Sequence, residues 1–173
     1  MVNLHLVTQL SFICFCTATD MVQSKKARVQ RWSMRPSLHK EVSRLLRNNN
    51  LSFEFCSLDD PSKSTRTYDT NIMGQFTCWN PACSSPGWSS KQIALMIRMY
   101  DDSQYNARIY HQRCRDCGWV SRPKVDGSYV ERVAYRIKKW CGVEMESQHY
   151  SRRSKGPHES GLCEGCKNGH CTS

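Results

Sequence analysis

The chain has 173 residues, 39% of them hydrophobic, which suits one domain with a modest core. Its eleven cysteines exclude complete disulfide pairing within the chain, because the count is odd. The formal net charge of +10 is concentrated at the two ends, while the middle is slightly acidic. Basic ends indicate a nucleic acid, an anionic membrane surface or an acidic partner, although a solubilising surface explains them equally well.

Residues 1–20 form an apolar leader that is too short for a transmembrane helix. A signal peptide begins with positive charge, whereas no Lys or Arg precedes Lys25. We therefore favour a misassigned start, with Met21 as the true first residue, or a disordered leader. A cleaved signal comes second and a membrane anchor third. Residues 21–35 follow as a basic arm that contains Trp32.

Residues 36–73 are predicted to hold one helix and a loop. The helix opens at Pro36 or Ser37, and three asparagines at 48–50 end it. Residues 51–74 are predicted to be loop, because DDPSKS is rich in turn formers. The apolar face of the helix consists of Leu38, Val42, Leu45 and Leu46.

Residues 74–171 hold the main predicted domain, which begins with an antiparallel hairpin. KQIALMIRMY alternates in polarity and predicts a half-buried strand, and YNARIYHQRC predicts its partner after the turn DDSQ. WVSRPKV predicts a third strand that Pro123 stops, since proline lacks an amide donor. The inward residues of the two hairpin strands are Ile93, Leu95, Ile97 and Met99, then Tyr105, Ala107 and Ile109.

DGSYVERVAYRIKKWCG is the most regular helical pattern in the chain. Ser128 and Glu131 have the spacing of a capping box, and Gly142 supplies a C-terminal stop. Residues 147–157 then predict a flexible basic linker. The apolar stripe of the helix is Val130, Val133, Ala134, Ile137 and Trp140, which indicates a helix that packs on the core.

Two cysteine pairs bracket the hairpin, Cys78-x4-Cys83 before it and Cys114-x2-Cys117 after it. Because an antiparallel hairpin returns its end to its start, the second pair should lie beside the first. Four thiolates then close a tetrahedral shell around zinc at about 2.3 Å, as in a zinc ribbon. Gly118 relieves the tight turn of the second pair.

The stretch PHESGLCEGCKNGHC offers a second set of ligands near the C terminus, namely His158, Cys163, Cys166 and Cys171. Few apolar residues accompany it, so burial alone would not order this segment. A structural zinc site can contribute on the order of 10 kcal/mol to folding. Gly165 and Gly169 are expected to let the backbone fold around an ion. His170 is a rival ligand, and the two sets of four could interleave.

The other cysteines and histidines are predicted to be structural or exposed. Cys56 and Cys141 are expected to be buried thiols. His111 should be a structural residue on a strand, and His39 and His149 are expected on the surface.

These motifs resemble the three-CxxC zinc-binding family, which includes receptor-transporting and zygote arrest proteins. The matching stretches are GQFTCWNPACSSPGWSSKQIALMIRMY, YNARIYHQRCRDCG and PHESGLCEGCKNGHC. The resemblance implies a non-enzymatic zinc-binding module in which the same eight residues are ligands. One departure is that four residues separate Cys78 from Cys83, where the family usually has two.

We therefore predict an α+β fold with a small antiparallel zinc-ribbon-like sheet, an N-terminal helix, a C-terminal amphipathic helix and two zinc sites. Two zinc ions are the expected cofactors. The predicted function is an interaction module that binds RNA or a protein partner, and RNA binding should weaken steeply with salt. The predicted contact residues are Lys25, Lys26, Arg28, Arg31, Trp32, Trp119, Arg152, Arg153 and Lys155.

The alternative function, which the resemblance to receptor-transporting proteins implies, is an adaptor or chaperone in membrane-protein trafficking. Those proteins carry a C-terminal apolar anchor that has no counterpart after Cys171, so membrane association is not favoured. Paired cysteines indicate a reducing compartment, the cytoplasm or nucleus, with secretion through residues 1–20 as the alternative. The sequence leaves the oligomeric state open.

An enzyme is not predicted, and no small-molecule substrate is expected. Catalytic zinc keeps one position open for water, with three protein ligands, whereas each set here already has four. A zinc deaminase would also require His-x-Glu followed by Pro-Cys-x-x-Cys. In this chain Glu159 directly follows His158, and Ala82 separates Pro81 from Cys83.

Overall fold

The computed structural model describes residues 29–101, 103–146 and 158–171. The predicted leader, most of the basic arm and the linker 147–157 lie outside these residues. The helices are α1 (His39–Arg47), α2 (Ser128–Trp140) and the short α3 (Glu164–Lys167). The strands are β1 (Trp32–Ser33), β2 (Glu54–Phe55), β3 (Ser64–Phe76), β4 (Trp88–Tyr100), β5 (Gln104–Tyr110), β6 (Gln112–Arg113), β7 (Val120–Ser121) and β8 (Pro123–Val125).

The main sheet has the strand order β1-β5-β4-β3-β8, with β2 added in parallel to β5. β4 and β5 form the predicted antiparallel hairpin, in which Leu95 lies opposite Ile109 and Ile97 lies opposite Ala107. Strands β6 and β7 pair separately beyond the end of the hairpin. Helices combined with an antiparallel sheet confirm the predicted α+β class.

The third strand differs from its prediction, because WVSRPKV is divided between two sheets. β7 pairs with β6, whereas β8 begins at Pro123, which lies opposite Phe76 of β3. β8 is at the edge of the sheet, where a residue without an amide donor is tolerated. Pro123 therefore begins a strand rather than ending one.

The long strand β3 was not predicted, and the loop expected over residues 51–74 is wrong at β2 and again from Ser64 onward. β3 runs antiparallel to β4 as far as Phe76. Among its thirteen residues just Thr70, Ile72 and Phe76 are buried, so the sequence shows little of the apolar alternation that identifies a strand. The predicted domain boundary between residues 73 and 74 falls inside this strand.

Helices α1 and α2 pack side by side on one face of the sheet and form the main core with it. Val42 and Leu46 of α1 are fully buried, as are Val133 and Ile137 of α2. The other predicted apolar positions of both helices are buried or pack against this cluster, namely Leu38, Leu45, Val130, Ala134 and Trp140. Gly142 follows α2 with φ +76°, which confirms the predicted stop.

The start of α2 differs from the predicted capping box, since no side chain caps the helix in that way. The Asp126 carboxylate accepts hydrogen bonds from the amide of Ser128 at 2.9 Å and from its hydroxyl at 2.5 Å. The Ser128 hydroxyl in turn accepts from the amide of Met73 at 2.9 Å. Ser128 therefore ties α2 to β3 instead of pairing with Glu131.

Strand β4 is buried on both sides, whereas its alternation predicts burial on one. Ala94 and Met96 point away from the helices and form a second cluster with Tyr110, against which Trp32 and Cys171 pack. The segment 158–171 covers this side of the sheet. The sheet thus lies between the two helices and the C-terminal segment.

A buried charge cluster holds the loop before β3 on the same side. Arg98 Nη1 lies 2.5 Å from Asp59 Oδ1, and Arg108 contacts the other oxygen of this carboxylate. One carboxylate thus compensates two arginines of the hairpin. No helix among the described residues is long and apolar enough to cross a membrane.

Candidate metal centres

The first metal centre is formed by Cys78, Cys83, Cys114 and Cys117, whose sulfur atoms lie within 4.8 Å of one another. The Sγ atoms of Cys78 and Cys117 are 3.5 Å apart, and those of Cys83 and Cys114 are 3.9 Å apart. Thiolates bound tetrahedrally to zinc are about 3.8 Å apart, given a bond of about 2.3 Å. The donor set and its spacing therefore fit a zinc ion.

A β-turn accommodates the wide spacing of the first cysteine pair. The amide of Cys83 donates to the carbonyl of Asn80 at 3.0 Å, and Pro81 occupies the second position of this turn, which proline favours. The Asn80 side chain accepts from the amide of Ala82 at 3.1 Å. The four intervening residues thus return Cys83 to Cys78, in spite of the departure from the family spacing.

The second pair sits in a tight turn after β6. The amide of Gly118 donates to the carbonyl of Cys114 at 2.9 Å, and the amide of Cys114 donates to the carbonyl of Trp119 at 2.9 Å. Gly118 has φ +71°, which glycine adopts without strain, as predicted. Arg113 Nη1 also donates to the carbonyl of Gly118 at 3.2 Å, so the turn is held from both sides.

Hydrogen bonds favour the thiolate form of two of these cysteines. The side chain of Ser85 lowers the pKa of Cys114 to about 6. The side chain of Asn80 lowers the pKa of Cys117. The thiolate is the form that binds a metal, so Cys114 and Cys117 ionise most readily, whereas the pKa values of Cys78 and Cys83 are raised.

The second metal centre is formed by His158, Cys163, Cys166 and Cys171, which shares no residue with the first. His158 Nε2 lies 3.1 Å from Cys166 Sγ and 3.4 Å from Cys171 Sγ. A nitrogen and a sulfur on one tetrahedral zinc ion are about 3.5 Å apart. The Cys171 thiol lowers the pKa of Cys163 to about 5, whereas the pKa values of Cys166 and Cys171 are raised. The two quartets are therefore separate, and each fits one zinc ion.

The rival histidine, His170, lies outside the second centre. Its Nδ1 is 3.1 Å from the carboxylate of Asp69, and its ring stacks on Tyr110 with 5.2 Å between centroids. These contacts hold the His170 side chain against the sheet. His158 is consequently the histidine that completes the centre.

Backbone contacts dock the second centre on the sheet. Cys163 forms an isolated bridge with Gln112, and the amide of the next residue donates to the carbonyl of His111 at 3.0 Å. A Cβ atom on Gly165 would lie 2.3 Å from the Cβ of Ala94. Position 165 therefore requires glycine because its backbone lies close to β4. The sequence instead predicted that this glycine lets the backbone fold around the ion.

A fully buried carboxylate reinforces this docking and was not predicted. Glu164 lies next to a ligand, and its oxygens are 2.6 Å from Arg113, 3.5 Å from Arg31 and 3.7 Å from Lys167. The contacts connect the C-terminal centre to β6 and to the segment before β1. Nothing in the local sequence distinguishes Glu164 from a surface residue, because its partners are distant in the chain.

His111 has the predicted structural role, although it follows β5 rather than lying within a strand. Its side chain is buried, with Nδ1 2.9 Å from the carbonyl of Gln30 and Nε2 3.1 Å from the hydroxyl of Ser33. Burial lowers the pKa of His111 to about 4. The imidazole is thus neutral at physiological pH.

Three other predictions are corrected in the structure. Cys141 is exposed, because it lies at the end of α2 and beyond the apolar stripe. Cys56 is half-buried rather than buried. His39 is also half-buried, with Nδ1 3.1 Å from the hydroxyl of Tyr105. His149 lies outside the described residues.

The tryptophan side chains differ in exposure. Trp119 is exposed, as predicted, and Trp79 is more so. Trp32 is half-buried beneath Arg108, whose guanidinium carbon lies 4.3 Å from the ring centroid. Trp79 was not among the predicted contact residues, although its position directly after the ligand Cys78 is a signal of exposure.

Comparison with known families identifies the chain. A family described as a zinc-binding domain, the three-CxxC zinc ribbon, matches residues 71–169. The match covers more than half of the chain and includes every candidate ligand except Cys171, which lies just beyond it. No curated protein and no solved structure matches the chain. The chain therefore belongs to the three-CxxC zinc ribbon family of zinc-binding domains.

Proposed function

We propose that the protein is a non-enzymatic, zinc-stabilised module that binds single-stranded RNA. The observation that carries the proposal is the pair of exposed tryptophans at the first metal centre. Trp79 is 71% exposed and Trp119 is 49% exposed, and each lies beside a metal-binding turn. Tryptophan is enriched in binding hot spots, and single-stranded RNA is recognised by stacking bases on aromatic planes.

The metal-binding turns hold both tryptophans on a rigid support. Trp119 accepts a backbone hydrogen bond from Cys114, and Trp79 stands between the ligand Cys78 and the turn that begins at Asn80. A side chain on a fixed backbone loses less conformational entropy on binding. Both centres also have four protein donors each, which supports a structural rather than a catalytic role for zinc.

The charges near the tryptophans support RNA contacts as well. Arg122 and Lys124 are exposed, Arg115 is exposed but pairs with the carboxylate of Glu159, and Asp116 is the one acidic residue in segments 77–86 and 113–124. A zinc ion with four thiolates adds a formal charge of −2, so this end of the protein stays close to neutral. Stacking is therefore the main attraction, and phosphate contacts come second.

The test is fluorescence anisotropy with a labelled, unstructured RNA and the zinc-loaded full chain. Each lost stack costs about 1–3 kcal/mol, so Trp79→Ala with Trp119→Ala should weaken binding by at least about tenfold. Two phosphate contacts, from Arg122 and Lys124, give a salt slope of roughly 1.4. Leu58→Ala is the control, since Leu58 is 73% exposed in a different loop.

Two results would refute the RNA proposal. One is the absence of saturable binding by the wild-type chain, and the other is an unchanged affinity in the double tryptophan variant. A protein partner that contacts the two tryptophan rings would then be the remaining candidate.

A further inference from the structure

Cations on the two sides of the sheet differ in whether they have acidic partners. On the side covered by the C-terminal segment, arginines are paired with carboxylates. Asp59 compensates both Arg98 and Arg108, and Glu164 compensates Arg113. These charges stabilise the fold and are neutralised within it.

The helical side has a large excess of cations. Helices α1 and α2 carry seven Lys and Arg residues against two Glu residues. Six of the seven form no ion pair with any residue in the described part of the chain, namely Lys40, Arg44, Arg47, Arg136, Lys138 and Lys139. This α1–α2 surface is therefore positively charged without internal compensation.

The cations of α1 form one outward row. Lys40, Arg44 and Arg47 are exposed, and they lie on the face opposite the buried Val42 and Leu46. Seven residues of helix span about 10 Å. α2 packs beside α1 and adds the exposed Lys139, whereas Arg136 is half-buried with its guanidinium over the Tyr68 ring of β3.

We propose that the α1–α2 surface binds the phosphate backbone of duplex nucleic acid. The proposal rests on the proposed function for the choice of a nucleic acid, and it adds a double-stranded stem to the single strand at the tryptophans. Duplex nucleic acid carries a phosphate about every 3.4 Å along each strand, so the α1 row of about 10 Å spans roughly three phosphates of one strand. Arginine is suited to this partner because its planar fork contacts phosphate with two donors.

The composition of the surface favours a duplex over the other anionic partners. Helices that bind membrane surfaces insert Trp, Phe or Leu side chains. In the described part of the chain, the exposed large apolar residues all lie outside α1 and α2. A single strand is also a poorer match, because its bases would find no exposed aromatic platform on these helices.

The experiment compares binding to a blunt duplex RNA of ~20 base pairs with binding to one of its strands. The variant is Arg44→Gln with Arg47→Gln, since glutamine preserves helix propensity. The control is Lys63→Gln with Lys91→Gln, which removes the same charge from exposed residues outside α1 and α2. Circular dichroism and zinc counting establish that both variants are folded.

The helix variant should lower duplex affinity about tenfold and reduce the salt slope by about 2, with single-strand affinity nearly unchanged. Equal losses in the helix variant and the control would overturn the proposal, because net charge alone would explain them. A membrane would be the partner instead under one outcome. The wild type would bind vesicles that contain phosphatidylserine, and the helix variant would lose this binding while it kept its duplex affinity.

The tryptophan variant separates this inference from the proposed function. Retained duplex binding in Trp79→Ala with Trp119→Ala supports the separate helical surface. Duplex binding by a chain that fails to bind single-stranded RNA would refute the proposed function and leave the helical surface standing.

Discussion

Replacing Gly165 by alanine tests whether the second metal centre depends on its contact with the sheet. The added Cβ would lie 2.3 Å from Ala94 Cβ and 3.4 Å from both Cys163 Sγ and Tyr110 Cβ. Carbon atoms pack at about 3.5–4.0 Å, so the segment must move by more than about 1 Å. Ala94 is fully buried in β4, and the shift therefore falls on the C-terminal segment.

The cost should appear as weaker zinc binding at the second centre. Overpacking of a buried contact costs about 1–3 kcal/mol. Cys163 and Cys166 flank Gly165, so their displacement weakens second-site zinc affinity by about 5-fold to 150-fold. Zinc titration against a competing chelator measures both affinities, and the first centre should keep its wild-type value.

A second substitution distinguishes the clash from a general loss of stability. Ala94→Gly removes the atom that Gly165→Ala would meet, so the double variant should bind zinc more tightly than Gly165→Ala alone. Gly161→Ala is the matched control, because a Cβ there meets nothing within 4 Å. Wild-type zinc affinity in Gly165→Ala, or no recovery in the double variant, would refute the close-approach argument.

Three further predictions concern metal content, buried charge and pH. His158→Ala with Cys163→Ser should bind one zinc ion where the wild type binds two, since the centres share no ligand; native mass spectrometry counts the ions. Asp59→Asn should lower the free energy of unfolding in urea by about 2–4 kcal/mol, because two arginines, 7% and 18% exposed, lose their carboxylate. Burial holds the pKa of His111 at about 4, against about 6.5 in the unfolded chain. Its contribution to stability is complete above pH 6.5 and is lost as the pH falls towards 4, by roughly 2 kcal/mol at pH 5 relative to His111→Gln.

Each of these predictions has a control. Loss of both ions in the double ligand variant would show that the centres are not independent. Asp60→Asn is the comparison for Asp59→Asn, since the Asp60 side chain is 41% exposed and pairs with Lys63 at 4.0 Å. Parallel pH profiles for the wild type and His111→Gln would contradict a buried neutral imidazole, because zinc release affects both proteins alike.

Local pattern was sufficient for the hairpin, for α1 and α2 and for the eight candidate ligands, although it left open whether the two quartets interleave and whether His170 is a ligand. β4 and β5 alternate strongly, and the cysteine pairs sit at the two ends of the hairpin, where chain reversal brings them together. Pattern failed for β3, because just three of its thirteen residues are buried and its strand conformation comes from pairing with β4 and β8. It also failed for the start of α2, where the Ser128 hydroxyl accepts a hydrogen bond from the amide of Met73, a residue distant in the chain.

The sequence by itself determined the ligand types, their spacing and hence the metal, since thiolate and imidazole donors at such intervals suit tetrahedral zinc. Tertiary structure decided which histidine completes the second centre, by committing His170 to Asp69 and Tyr110. It also decided which cations are neutralised in the fold and which are left on the helices. These outcomes depend on ion pairs between residues far apart in the chain. The partners meet when the C-terminal segment and the loop before β3 pack on the sheet.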